Sequence, residues 1–413
     1  MSKAPVTPAK FSGYDAVVIA LLALTQFTVV LDFMVMSPLG DMLMKSMDLK
    51  PSQFGLVVSS YAISAFFSGI LTAGFADRYD RKKLLVFFYI GFIGGTLFCG
   101  LANTYPLLIA ARILTGIFGG VIGSISMAIV ADLFPIQQRG RVMGFMQMGF
   151  GASQVLGIPI SLYIANRWGW QSPFLMIVGL ASIIVVFIVV KLRPITQHLD
   201  KKTDNKALHH LWNTFKNRKY QVGFLATAFL SLGGFMMMPW GSAFAINNLK
   251  VTQEQLPLLF MVAGIATLII MPLIGKLSDK YDKFTIFTIA SLWLIAVVLF
   301  YTHLTPVPFG VIMVFNVIMM IGIMGRMVPS IALTSSLPEM HDRGAFMSIN
   351  SSLQQLAGGL AAAVGGMIVV QKTKTSPLEN YDTLGIVISV LTIICIFLVY
   401  RVSKLIKAKQ KNA

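Results

Sequence analysis

The chain is dominated by long apolar runs, each near the length that crosses a bilayer, separated by short polar connectors. A helix rising 1.5 Å per residue needs about 20 apolar residues to span the hydrocarbon layer. In lipid every backbone polar group must find an internal partner, so runs of this kind form helices. Only 12% of the residues are charged and 56% are hydrophobic, against about 25% charged in a soluble domain. A dozen such spans consume nearly all of the 413 residues and leave no room for a separate catalytic domain.

The runs predict twelve transmembrane helices, at about 15–43, 53–75, 84–102, 106–131, 142–165, 171–191, 220–246, 255–276, 284–303, 308–335, 345–370 and 384–402. Residues 1–192 form an N-terminal six-helix bundle and 220–413 a C-terminal one. Between them, residues 193–219 are too charged to cross and read as a cytoplasmic linker with a short surface helix. The first run is much longer than a signal-peptide core and carries Asp32 and Pro38 where cleavage would fall, so it is expected to be retained.

The net charge of +17 would suggest nucleic acid if it formed one soluble patch. Its placement says otherwise. The N-terminus, alternate connectors and the C-terminal tail hold 25 Lys and Arg, whereas the opposite connectors hold 6. By the positive-inside rule both termini are cytoplasmic, in a multi-pass protein of the inner (plasma) membrane, and no nucleic-acid partner is expected. Cys99 and Cys395 sit in apolar stretches and read as buried thiols. They offer no metal cluster, no Gly-rich loop leads into Lys-Ser or Lys-Thr, and no cofactor is expected. Nothing demands more than a monomer.

An internal repeat supports the two bundles. Asp77, Tyr79 and Asp80 after the second span align with Asp279, Tyr281 and Asp282 after the eighth, and Pro135-IQQRGRVMG matches Pro338-EMHDRGAFMS at nearly the same offset. Parallel repeats of this kind characterise transporters whose halves rock around a central site.

The connector GFADRYDRKK resembles the signature of the major facilitator superfamily: Gly, three variable residues, Asp, a basic residue, a variable residue, Gly, Arg and a basic residue. Asp77, Arg78, Arg81 and Lys82 fall on its charged positions, while Ala73 and Asp80 replace its glycines. In the second half Gly275 and Asp279 match, and Asp282 again stands at the later glycine. Helix 4, RILTGIFGGVIG, is similar to the family's arginine motif, with Arg112, Gly116 and Gly120 on matching positions. Over its whole length the chain looks like bacterial drug and sugar efflux permeases of the drug:proton antiporter type. Helix 5 departs: it reads GASQVLGIPIS, with Gly157 and Pro159 separated and no double glycine. That motif is the one most tied to exporters, so a proton symporter or facilitator taking up a sugar or other metabolite stays open. A transporter-like membrane sensor is the alternative of another class. An enzyme is not expected, because the five histidines lie in connectors or at a helix end and no nucleophile, base and stabiliser converge.

Asp32 is the acidic residue placed well inside a span, a costly position that points to function. It lies about 24 Å along helix 1, and Arg112 lies about 9 Å into a helix entering from the other side, so the two can share one depth. Burial raises a carboxyl's proton affinity and a nearby cation lowers it, so separating this pair would switch Asp32. A static ion pair fixing helix 1 to helix 4 is the alternative. Arg326 either faces the substrate cavity, favouring an anionic or polyol solute, or snorkels to headgroups. The amides Gln26, Gln147, Gln154, Asn316, Asn350 and Gln354 either touch substrate or bond between helices. Met237 and Trp240, in FMMMPWGSAF, offer adaptable apolar surface or simple packing. Pro38, Pro159, Pro239, Pro272 and Pro329 are expected bend points. The resemblance implies a cytoplasmic latch from Asp77, Arg81 and Asp132, with Arg78 and the repeat-related Asp279 beside it. Either Asp77 caps the N-terminus of helix 11, or these charges only set topology. The expected partners are a small-molecule substrate, protons and the lipid bilayer.

Overall fold

The computed structural model describes residues 11–73, 76–196, 199 and 207–411. Among them are sixteen α-helices: α1 Gly13–Val35, α2 Gly40–Met47, α3 Pro51–Ala73, α4 Arg81–Leu101, α5 Tyr105–Leu133, α6 Ile136–Ala152, α7 Ile158–Trp168, α8 Ser172–Lys191, α9 Ala207–Lys216, α10 Arg218–Phe235, α11 Gly241–Asn247, α12 Leu256–Lys280, α13 Lys283–Thr302, α14 Phe309–Ser336, α15 Arg343–Ile368 and α16 Tyr381–Lys411. This is the expected all-α membrane fold with two six-helix bundles.

Helix starts are set by polar caps. Ser12 and Asp15 form a capping box on α1, and Asp80, Asn217 and Asp282 cap α4, α10 and α13 through their side chains. The two aspartates are the residues that replace the signature's later glycine in each half. Each carboxylate satisfies an otherwise orphaned N–H of the next helix: Asp80 accepts from Lys82 N at 2.9 Å and Asp282 from Thr285 N at 3.1 Å.

Prolines divide three of the expected continuous spans. The first ends at Val35, turns over residues 36–39 around Pro38, and resumes as α2. Pro239 lies in a 3-10 turn, Met238–Trp240, between α10 and α11. Before Pro159 the chain takes a π turn over Ser153–Gly157, with Ile158 N bonding back to Ser153 O. Pro159 has no N–H to give, and the wider turn carries the chain past that gap. By contrast, α12 and α14 run on through Pro272 and Pro329.

Among the described residues, eleven of the spans are long and apolar enough to cross a membrane. The twelfth, α15, has the length but carries Asn350, Ser351, Ser352, Gln354 and Gln355. It packs on α3 and α10. Small residues allow that approach. A Cβ on Gly55 would meet Ala362 O at 2.6 Å, and one on Gly366 would meet Pro51 O at 2.9 Å. The α3–α15 seam therefore brings backbones almost into contact across the two halves.

The halves are further tied at the end of the bundle that carries the 36–39 turn. Ser37 Oγ donates to Met238 O, Ser242 Oγ donates to Ser37 O at 2.9 Å, and Asn247 Nδ2 donates to Asp41 Oδ1 at 2.6 Å. Asn166 Nδ2 reaches Gln253 O at 2.8 Å, and α12 crosses the π turn with Gly264 against Gln154 O. This end is sealed by polar contacts between the halves. The opposite end carries residues 193–196, α9 and the capped starts of α4 and α13.

Candidate transport pathway and its charged sites

Four helices of the first half converge on Asp32. Arg112 Nη1 of α5 donates to its Oδ2 at 2.9 Å, and Thr96 Oγ1 of α4 donates to Oδ1 at 3.1 Å. The Arg112 guanidinium also lies over the Tyr61 ring of α3, 4.6 Å from its centroid. Asp32 and Arg112 are both 0% exposed. The close packing of α5 on α3 sets the geometry: a Cβ on Gly116, one turn from Arg112, would strike Ser64 Oγ and Tyr61 O. Arg112 Nε and Nη2 have no hydrogen-bond partner among the described residues, so the guanidinium holds donors in reserve. The shared depth expected from rise per residue is what the helices produce.

Arg326 is 2% exposed. Its guanidinium sits 5.8 Å from the Phe287 ring centroid of α13, and its Nε and Nη2 have no hydrogen-bond partner among the described residues. Snorkelling to headgroups is overturned by that burial. The side chain is turned toward α13, not out of the bundle.

The other expected pathway residues divide. Gln26, Gln154, Met237, Asn316, Asn350 and Gln354 are partly buried, and Gln147 is exposed. Gln154 Nε2 reaches Met34 Sδ at 3.9 Å, Asn316 Nδ2 bonds back to Ile312 O at 3.0 Å, and Asn350 Oδ1 is buried without a partner among the described residues. Trp240 is fully buried, edge-on to Phe54 at 5.6 Å. It plugs the sealed end between α3 and α15. A narrow, mostly apolar cavity lies beside it between the halves, lined by Phe33, Ser37, Val58 and Ala62 from one and Phe235, Met238, Pro239, Gly358 and Ala362 from the other. Phe33 and Phe235 were not singled out in the sequence. Phe33 follows Asp32 directly, and Phe235 opens the proline-containing run that holds Met237 and Met238, so adjacency to the marked residues was the available signal.

At the opposite end Arg81 Nε donates to Asp132 Oδ2 at 3.1 Å, and its Nη1 donates to Ala76 O at 3.0 Å. This joins the expected latch residues Arg81 and Asp132. The side chain of Asp77 lies outside the described residues. Arg78 and Asp279 are exposed. Asp41 escaped notice in the sequence although it is 1% exposed. It binds Asn247 of the other half and Lys45 Nζ, the latter at 2.8 Å. It lies near the end of the 15–43 run, and the sequence drew attention to Asp32 at mid-span instead.

Comparison with known proteins agrees with this architecture. The chain is 24% identical over 383 residues to an uncharacterized MFS-type transporter, YbcL of Bacillus subtilis, covering 92% of this chain and 95% of that one. Multidrug resistance protein 3 of the same organism is 31% identical over 152 residues, 37% of this chain and 30% of that protein. Multidrug resistance protein fnx1 of Schizosaccharomyces pombe is 34% identical over 140 residues, 33% of this chain and 26% of that one. The fold superposes on a bacterial homolog of the human lysosomal transporter Spinster, inward-facing and unoccupied, with TM-score 0.78 at 16% identity over 97% of this chain and 99% of that one. A D-xylose-proton symporter matches with TM-score 0.75 at 18% identity over 92% and 97%. The family model described as Major Facilitator Superfamily matches residues 22–362 and 223–412. The chain is a multi-pass membrane transporter and belongs to the Major Facilitator Superfamily.

Proposed function

We propose that this transporter exports small organic compounds, such as drugs or sugars, in exchange for protons, with both termini in the cytoplasm of a cell whose inner membrane it crosses. The observation that carries the proposal is the fully buried Asp32–Arg112 pair. An intramembrane carboxylate held by one movable cation can change protonation when helices shift. In this reading residues 1–192 and 220–413 are two rigid halves joined by 193–219. They alternate between an outward end sealed by Asp41, Ser37 and Asn247 and a cytoplasmic end latched through Asp77, Arg78, Arg81, Asp132 and Asp279. Separating α1 from α5 would expose Asp32 and switch its proton affinity. Substrate would occupy the space between the halves, near Phe33, Met237 and the amides of α6, α14 and α15. The partial likeness to multidrug resistance proteins supports an exporter of varied solutes.

The test is substrate-driven proton flux in energised everted vesicles, screening cationic drugs, neutral drugs and sugars, with Asp32→Asn beside the native protein. Proton release that requires Asp32, with substrate exchange surviving in Asp32→Asn, is the expected outcome. Solute movement that is equal in both proteins and indifferent to the pH gradient would sink the coupling role and leave a facilitator.

A further inference from the structure

Helix α9, Ala207–Lys216, has two faces. The inner one rests on protein: His210 Nε2 lies 3.5 Å from Asp342 Oδ1, and Thr214 is buried. On the outer face Trp212 is 54% exposed and stacks on Phe215, which is 39% exposed, with ring centroids 6.0 Å apart. Lys216 Nζ lies 4.8 Å from the centroid of the Trp212 ring. Arg218 and Lys219 follow, both exposed. No acidic residue occurs from Asn205 to Gln253. Asp342, the carboxylate beneath the helix, is occupied by Tyr220 Oη at 2.8 Å and by His210 and His341.

The position of this face matters as much as its composition. The spanning helix α10 begins at Arg218, two residues after α9 ends, so the aromatic pair stands where the chain enters the membrane. An exposed tryptophan stacked on phenylalanine, with one lysine over its ring and two further basic residues just after it, matches the boundary between headgroups and acyl chains. We propose that α9 is an interfacial helix that binds anionic lipid, with Trp212 and Phe215 at the acyl boundary and Lys216, Arg218 and Lys219 on lipid phosphates. The area is one indole and one phenyl ring bordered by positive charge, which suits a headgroup layer better than an apolar protein surface. The contact of His210 with Asp342 then ties a lipid-bound helix to the start of α15. This inference rests on the chain crossing a membrane and is independent of proton coupling.

The test uses the full chain in vesicles of phosphatidylcholine, with or without phosphatidylglycerol, whose acyl chains are brominated near the glycerol. The emission of native protein minus that of Trp212→Phe isolates Trp212. Quenching of that signal by brominated lipid, protection from aqueous acrylamide, and strengthening of both by phosphatidylglycerol are expected. Lys216→Gln and Lys219→Gln should each weaken the phosphatidylglycerol titration about fivefold, as expected for one basic residue at an anionic surface. A Trp212 signal quenched by acrylamide and untouched by brominated lipid would overturn the interfacial placement. Lipid quenching indifferent to phosphatidylglycerol would overturn the anionic assignment. If Trp212→Phe does not fold, a nitroxide on Asn213→Cys reads the same partition. Greater access to oxygen than to a water-soluble nickel chelate supports the proposal, and the reverse rejects it.

Discussion

In the first half Arg112 gives a hydrogen bond to Asp32 at 2.9 Å, and a threonine and a tyrosine ring complete its surroundings. In the second half Arg326 is buried almost as deeply, yet its guanidinium meets a phenylalanine ring, and two of its nitrogens find no partner among the described residues. The two arginines do not occupy equivalent places in the repeat. Arg112 lies near the start of α5, whereas Arg326 lies past the middle of α14. The repeat matches in its helices and caps but not in its buried charges. A paired charge costs most when one partner is removed, and an unpaired one costs most while it is present.

The largest expected effect follows from the pair. Asp32→Ala leaves the Arg112 cation buried without its counter-charge and should destabilise by about 3–5 kcal/mol, read as a fall in thermal midpoint in detergent. Asp32→Leu combined with Arg112→Met should recover much of that loss while proton-linked transport is absent. If Asp32→Ala melts like the native protein, water reaches the site and the buried-pair description fails.

The seal between the halves comes next. Asn247 donates to the buried Asp41 carboxylate at 2.6 Å, and hydrogen bonds to charged groups contribute about 1.5–3 kcal/mol. Asn247→Ala should therefore favour the state in which this end is open. Labelling of a cysteine placed at Ala243, buried beside the seal, should accelerate in Asn247→Ala, and unchanged labelling would show that the α3–α15 seam and the remaining contacts hold the end shut.

Arg326 sharpens the contrast by its sign. Arg326→Met keeps a long apolar stem against Phe287 and removes unsatisfied buried donors, so stability should rise by about 1–3 kcal/mol. A loss as large as that of Asp32→Ala would mean that Arg326 has a partner in the native membrane. Loss of transport with gained stability would instead mark it as a residue kept for the solute at a cost to the fold.

These contrasts also show what could be read from residues alone. Span positions, the linker helix and the Asp32–Arg112 meeting followed from run length and rise per residue, because a bilayer fixes depth. The destination of Arg326 did not, since a helical wheel does not say which neighbour a side chain faces. Of the five prolines expected as bend points, Pro38, Pro159 and Pro239 fall at interruptions of the helical ladder, whereas α12 and α14 carry Pro272 and Pro329 inside continuous helix, because neighbouring packing decides whether a helix carries a proline through. Asp41 was hidden by its place near a run's end, and its burial depends on α11 from the other half. Trp240 looked like cavity surface, yet the glycines of α15 bring backbone close enough to enclose it.

The smallest effect concerns the two capping aspartates. Asp80 is 9% exposed, and its Oδ1 also accepts Ile195 N at 3.0 Å, which fastens the start of the linker. Asp282 is instead met by Lys407 Nζ at 2.9 Å, with side chains 40% and 61% exposed. The hydrogen bond from Lys407, aided by the Thr285 N–H, holds the Asp282 carboxyl below the usual carboxylate range. Its contribution is thus full above the unfolded-state value and is lost as pH falls through the lower folded value. Asp282→Asn keeps a capping oxygen and removes only the charge, so at neutral pH it should cost under about 1 kcal/mol. The difference from native should shrink with added salt, and it should vanish in acid once the carboxyl is protonated in both states. Asp80→Ala, which loses the cap and the linker contact together, should cost about 1 kcal/mol or more and respond weakly to salt. Equal salt dependence in the two variants would show that the repeat's matching aspartates share one environment, and the asymmetry between the halves would end at the buried arginines.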